Sequence, residues 1–163
     1  MPAAGGSATV LTQNSGVALN VQPSISPDGT TIAFITDRRG QYNLWLMNAD
    51  GSNPRPVFSD HNATAFEPAW TPDGEFIVVR KGSLGAGARG PAPAAGLWMY
   101  HRDGGSGVSL VTADSGGNNS TPSWPSISAD GKYLYYHVGM TVDDRQPLSG
   151  SLQLRRFTFR DGE

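Results

Sequence analysis

The sequence contains no cysteine, which excludes disulfides and thiolate metal sites and leaves the redox compartment unreadable. It has no apolar run approaching the length of a membrane-spanning helix, so no membrane insertion is expected. Neither sign of charge dominates. The net charge is −2 without runs of acids or bases, which argues against a nucleic-acid-binding face. Residues 1–16 lack the basic and apolar regions of a secretory signal peptide. Catalytic signatures are missing as well. There is no G-x-S-x-G, no H-x-H and no H-E-x-x-H, so the sequence points to no catalytic residue, no metal and no cofactor.

Turn-forming residues are plentiful, with 21 glycines and 12 prolines among 163 residues. They are placed periodically. Pro23-Ser24-Ile25-Ser26-Pro27-Asp28-Gly29 returns as Pro68-Ala69-Trp70-Thr71-Pro72-Asp73-Gly74 and as Pro125-Ser126-Ile127-Ser128-Ala129-Asp130-Gly131. Each copy is followed by a β-rich run: 31–35, 76–79 and 133–136. A second Asp-Gly closes each unit, at Asp50, Asp103 and Asp161. Repetition at roughly 40–50 residues indicates a solenoid or a propeller. In these turns proline presets φ, aspartate hydrogen-bonds the turn backbone and glycine accepts positive φ.

The expected fold is all-β: about three β-propeller blades, each a four-stranded antiparallel meander, forming part of a propeller of about six to eight blades. Residues 1–7 are expected to be a flexible N-terminus and 8–163 one partial propeller domain, with blades near 21–59, 67–113 and 124–163. Residues 8–13 resemble the last strands of the first two units, and are expected to close a blade as its outermost (D) strand. The second strand (B) of each unit is almost continuously apolar, as suits a strand covered on both faces. Trp45, Trp70, Trp98 and Trp124 recur near fixed repeat positions and are expected in the core. Unit three departs from the pattern: Arg155 and Arg156 stand where Leu44-Trp45 and Leu97-Trp98 stand in the other units.

In such a meander the tight Asp-Gly turns share one end. The B–C and D–A loops share the other, and the length variation falls there, in 82–95 and 139–150. Variable loops on a rigid face are the usual place for a binding site. Candidate ligand-binding residues on or near that face are His61 and Glu67, the basic trio Arg80, Lys81 and Arg89, His137 at the end of a B strand, and Asp143-Asp144-Arg145 in the third insertion. Each also has an ordinary reading, as a packed side chain or a solvated loop tip.

The motif Ile25-Ser26-Pro27-Asp28-Gly29 with Ile32-Ala33-Phe34, then Leu44-Trp45-Leu46-Met47-Asn48-Ala49-Asp50-Gly51, resembles the TolB-type WD-like β-propeller repeat. The resemblance covers about residues 21–163. Unit two, with Glu67-Pro68-Ala69-Trp70-Thr71-Pro72-Asp73-Gly74, Arg80-Lys81 and Leu97-Trp98-Met99-Tyr100-His101-Arg102-Asp103-Gly104, resembles propellers fused ahead of amidohydrolase domains. Similar propellers precede prolyl-oligopeptidase-type domains. Two functions are consistent with this. One is a non-catalytic scaffold that binds protein or peptide through the B–C/D–A face. The other is an accessory propeller gating a covalently linked hydrolase domain. The resemblance also implies a periplasmic or secreted setting. About three blades would leave a ring open, so either further blades in a longer protein or a homodimer forming a six-bladed ring is expected to complete it.

Overall fold

The computed structural model describes residues 5–12, 18–58, 63–83, 95–113, 121–139 and 153–159. It contains eleven strands among them and no helix. Sheet one is β1 (Asn20–Ile25), β2 (Thr31–Thr36), β3 (Asn43–Asn48) and β4 (Arg55–Pro56), in sequential antiparallel order. Sheet two is β5 (Ala63–Trp70), β6 (Phe76–Ser83), β7 (Gly96–His101) and β8 (Val108–Thr112). Sheet three is β9 (Thr121–Ile127), β10 (Tyr133–Gly139) and β11 (Gln153–Thr158). These are propeller blades packed face to face, with the first strands β1, β5 and β9 side by side.

The B strands are covered on both faces because successive side chains alternate between two neighbours. Ala33 and Ile35 pack with Ile77 and Val79 between sheets one and two. Val78 packs with Leu134 and Tyr136 between sheets two and three. Phe34 points the other way, with Trp45 and Met47, and the Arg38 guanidinium lies over both the Phe34 and Trp45 rings. The polar C strand of unit three is exposed along most of its length, and Arg156 stacks on Tyr133.

Three expectations change. β5 and β9 begin several residues earlier than expected, because each strand continues through a bulge rather than starting after it. Residues 8–12 form no strand; they run beside the turn at Gly51 instead. Trp124 is not core: it is 61% exposed.

The repeated turns are one hydrogen-bonded module. Ser26, Thr71 and Ser128 hydroxyls donate to Asp28, Asp73 and Asp130, and each carboxylate accepts the amide two residues on. The same hydroxyls accept amides from Thr31, Phe76 and Tyr133. Hydrogen bonds from the Ser26 hydroxyl, the Thr30 amide and the Thr30 hydroxyl lower the Asp28 carboxyl from its ordinary 3.8 to about 2. Ser128 and the Lys132 amide likewise hold Asp130 below the usual range. At Asp73 partial burial pushes upward, but the bonds from Thr71 and Glu75 outweigh it. A carboxyl depressed on folding favours the folded chain above its unfolded pKa, and that contribution is lost as pH falls through the folded pKa. Asp28→Asn keeps an acceptor oxygen without the titration. It is expected to shallow the loss of stability between pH 3.8 and about 2, and adding Asp130→Asn to shallow it again. Urea midpoints against pH check this; an acid limb identical to wild type would refute it.

Candidate functional site

The inner strands carry a feature that no single repeat reveals. Gln22, Glu67 and Trp124 occupy equivalent bulges in β1, β5 and β9, with φ of 52°, 58° and 55°. Left-handed φ is unfavourable for side chains with a Cβ, so surrounding contacts must hold it. Each residue precedes a proline: Pro23, Pro68 or Pro125. The bulge turns the Gln22 and Glu67 side chains toward the next sheet and leaves the Trp124 indole exposed. The Glu67 amide donates to Gln22 Oε1 at 2.8 Å, and the Trp124 amide donates to Glu67 Oε2 at 2.6 Å. Arg80 Nε lies 3.3 Å from the other carboxylate oxygen, Oε1, and its guanidinium stacks over Phe66. A relay of bulge side chains thus links sheet one to sheet two and sheet two to sheet three.

These residues line a cavity of about 420 Å³ along the inner strands, walled by Gln22, Glu67, Trp124, Ser126 and the three prolines. Its surface is an exposed indole flanked by pyrrolidine rings, with amide, carboxylate and hydroxyl groups at its margin. Such a surface suits an apolar or aromatic side chain with polar backbone nearby.

Among the candidates from sequence, Glu67 and Arg80 come together as an ion pair inside the relay. Lys81 points to the opposite face of β6, as alternation requires. It is only 6% exposed, donates to the Tyr100 hydroxyl at 3.1 Å, and lies 4.6 Å from the Trp98 ring and 5.5 Å from Phe58. Arg80 and Lys81 therefore do not share a lip: one braces the inner strand, and the other is held in an aromatic box between sheets one and two. His137 is half-buried on β10, opposite Ser123 and Leu154, on the side facing away from sheet two. His61, Arg89, Asp143, Asp144 and Arg145 lie outside the described residues. Among the described residues, no three of His, Asp and Glu are grouped to hold a metal ion. Gln22 and Trp124 were not singled out as a pair with Glu67 from sequence. The signal was present as the residue before the first proline of each repeat.

No protein-family profile matches the chain. A putative TolB from Agrobacterium tumefaciens superposes with a TM-score of 0.66 at 18% identity, covering 91% of this chain and 50% of that one. The chain has a TolB-type β-propeller fold. A prolyl endopeptidase structure shares this propeller fold with a TM-score of 0.60 at 18% identity, over 93% of this chain and 22% of its own. In sequence, the TolB-type propeller is 33% identical over 156 residues to the uncharacterized peptidase YuxL of Bacillus subtilis (strain 168). That match takes in 79% of this chain, which spans 23% of the relative's length.

Proposed function

We propose that this chain is a propeller segment of a larger peptidase-type hydrolase. Within it the propeller is a non-catalytic scaffold that binds peptide along its inner strands and loop-bearing face, and so governs access to a hydrolase domain. The observation that carries this reading is the 33% identity to a protein named as a peptidase, of which this chain spans 23%. The absence of a nucleophile elbow from the sequence supports a scaffolding role. The same relative favours a peptidase partner over an amidohydrolase.

The test is to sequence the genomic DNA around the coding region and to assay the purified chain on fluorogenic peptides. The frame is expected to carry further Pro-Asp-Gly repeats and a G-x-S-x-G, and the isolated chain to release no fluorophore. A frame containing no hydrolase domain would overturn the reading. A stand-alone peptide-binding module would then take its place.

A further inference from the structure

Five Asp-Gly turns fall among the described residues, at Asp28, Asp50, Asp73, Asp103 and Asp130. Their backbones are alike. In each, the glycine amide donates at 2.9 Å to the carbonyl three residues back, and each glycine has a positive φ. Their carboxylates are not alike. In four turns Oδ1 accepts the amide two residues on, at 2.9–3.1 Å, and a serine or threonine hydroxyl, at 2.5–2.6 Å. Those bonds fix the carboxyl in one orientation.

Asp103 departs from this. His101 stands where Ser26, Thr71 and Ser128 supply the hydroxyl, and Gly105 stands where Ser52 supplies it to Asp50. Among the described residues, neither a hydroxyl nor the Gly105 amide donates to the Asp103 carboxylate. Its neighbours are Arg55 Nη2 at 3.8 Å and His101 Nδ1 at 3.6 Å, and the side chain is 76% exposed. His101 Nδ1 is itself engaged, accepting the Asp103 amide at 3.2 Å.

We propose that Asp103-Gly104 is a site of isoaspartate formation, because alone among these five its carboxyl is not held by its own turn. The Gly104 amide nitrogen attacks Asp103 Cγ, and the new N–Cγ bond closes a succinimide ring. The amide proton and the carboxyl OH leave together as water. Water then opens the ring. Attack at Cγ regenerates aspartate. Attack at the main-chain carbonyl gives isoaspartate, with the chain running through Cβ and Cγ. The water released equals the water consumed, so the mass is unchanged and no oxidant or cofactor enters. Glycine admits the attack because no Cβ shields its amide. Leaving the shared turn bond costs the same in all five, so the carboxyl decides the ranking.

The turn sits where sheets one and two touch. Arg55 of β4 donates to the Arg102 carbonyl at 2.9 Å, and a Cβ added to Gly104 would lie 3.0 Å from the Val57 carbonyl. An isoaspartyl link lengthens the main chain there by one carbon and so displaces a packed contact between blades.

The purified chain is incubated folded at neutral pH, and isoaspartate at each Asp-Gly is measured by peptide mapping with electron-transfer fragmentation. Asp103 is expected to isomerise at least about fivefold faster than Asp28, Asp50, Asp73 or Asp130, the factor that the net contribution of one hydrogen bond gives. In urea the five are expected to isomerise at similar rates, since each is followed by glycine. His101→Ser supplies the hydroxyl of the other turns and is expected to slow Asp103 to their rate. Ser128→Ala removes it from another turn and is expected to speed Asp130. An Asp103 no faster than the other four in the folded chain overturns the proposal. So does a lead that persists in urea, or one that His101→Ser leaves intact with Asp130 unmoved by Ser128→Ala.

Discussion

Glu67→Ala is expected to destabilise the chain by about 1.5–3 kcal/mol, the scale on which hydrogen bonds to a charged, partly buried acceptor act. The Glu67 side chain is 8% exposed and satisfies two groups on different strands, the Trp124 amide and the Arg80 guanidinium. Alanine leaves both without that acceptor. Glu67→Gln retains one carbonyl oxygen and is expected to cost less than half as much, since a single neutral hydrogen bond contributes about 1 kcal/mol. Glu67→Gly separates backbone from side chain. It loses the same contacts as alanine but relieves the φ of 58°, and should recover about 1 kcal/mol of the loss. Urea unfolding followed by circular dichroism gives all three values. A Glu67→Ala chain within about 1 kcal/mol of wild type would show that the relay contributes no more than an exposed pair.

Trp70→Ala is expected to cost more, about 3–5 kcal/mol, for a different reason. Trp70 is 8% exposed and fills the layer between sheets one and two together with Ile35, Leu46 and Ile77. Its indole Nε1 donates to the Ser24 carbonyl across that layer at 3.0 Å. The Arg102 guanidinium, fixed by bonds to the Gly74 carbonyl and the Thr31 hydroxyl, lies 5.5 Å from the ring. The substitution therefore opens a cavity and removes a hydrogen bond between blades. Trp70→Phe keeps much of the volume and loses only the donor, so it should cost about 1–2 kcal/mol. Equal losses for the two variants would mean that the hydrogen bond, not the packing, joins the blades.

The two substitutions probe different parts of the same contact, one at the inner strand and one in the apolar layer. Trp70 was legible in the sequence as core because it precedes a repeated Pro-Asp-Gly turn. Glu67 was legible only as a charged residue near a loop, which suggested a ligand. Its role depends on a backbone conformation. The bulge turns it from its place in the alternation toward the next sheet, and only there does it meet Trp124 and Arg80. Lys81 shows the complementary limit. Its neighbour in sequence is Arg80, but the strand sends the two to opposite faces, and an aromatic box formed from β7 and the segment after β4 surrounds one of them.

By itself the sequence determined the local and periodic features. These are the Asp-centred turns, the order of strands within each blade, and the double-sided burial of β2 and β6. They follow from φ preferences, from side chains bonding to amides two residues away, and from alternation along a strand, all of which act within a few residues. Tertiary structure decided what depends on neighbouring blades. Glu67 became a brace because the next blade supplies an amide. Lys81 was buried because sheets one and two close around it, and Trp124 was left exposed on the inner strand of sheet three. These outcomes depend on which blade stands beside which, and hydrogen bonds and packing between blades are set by that arrangement rather than by the residues of any one repeat.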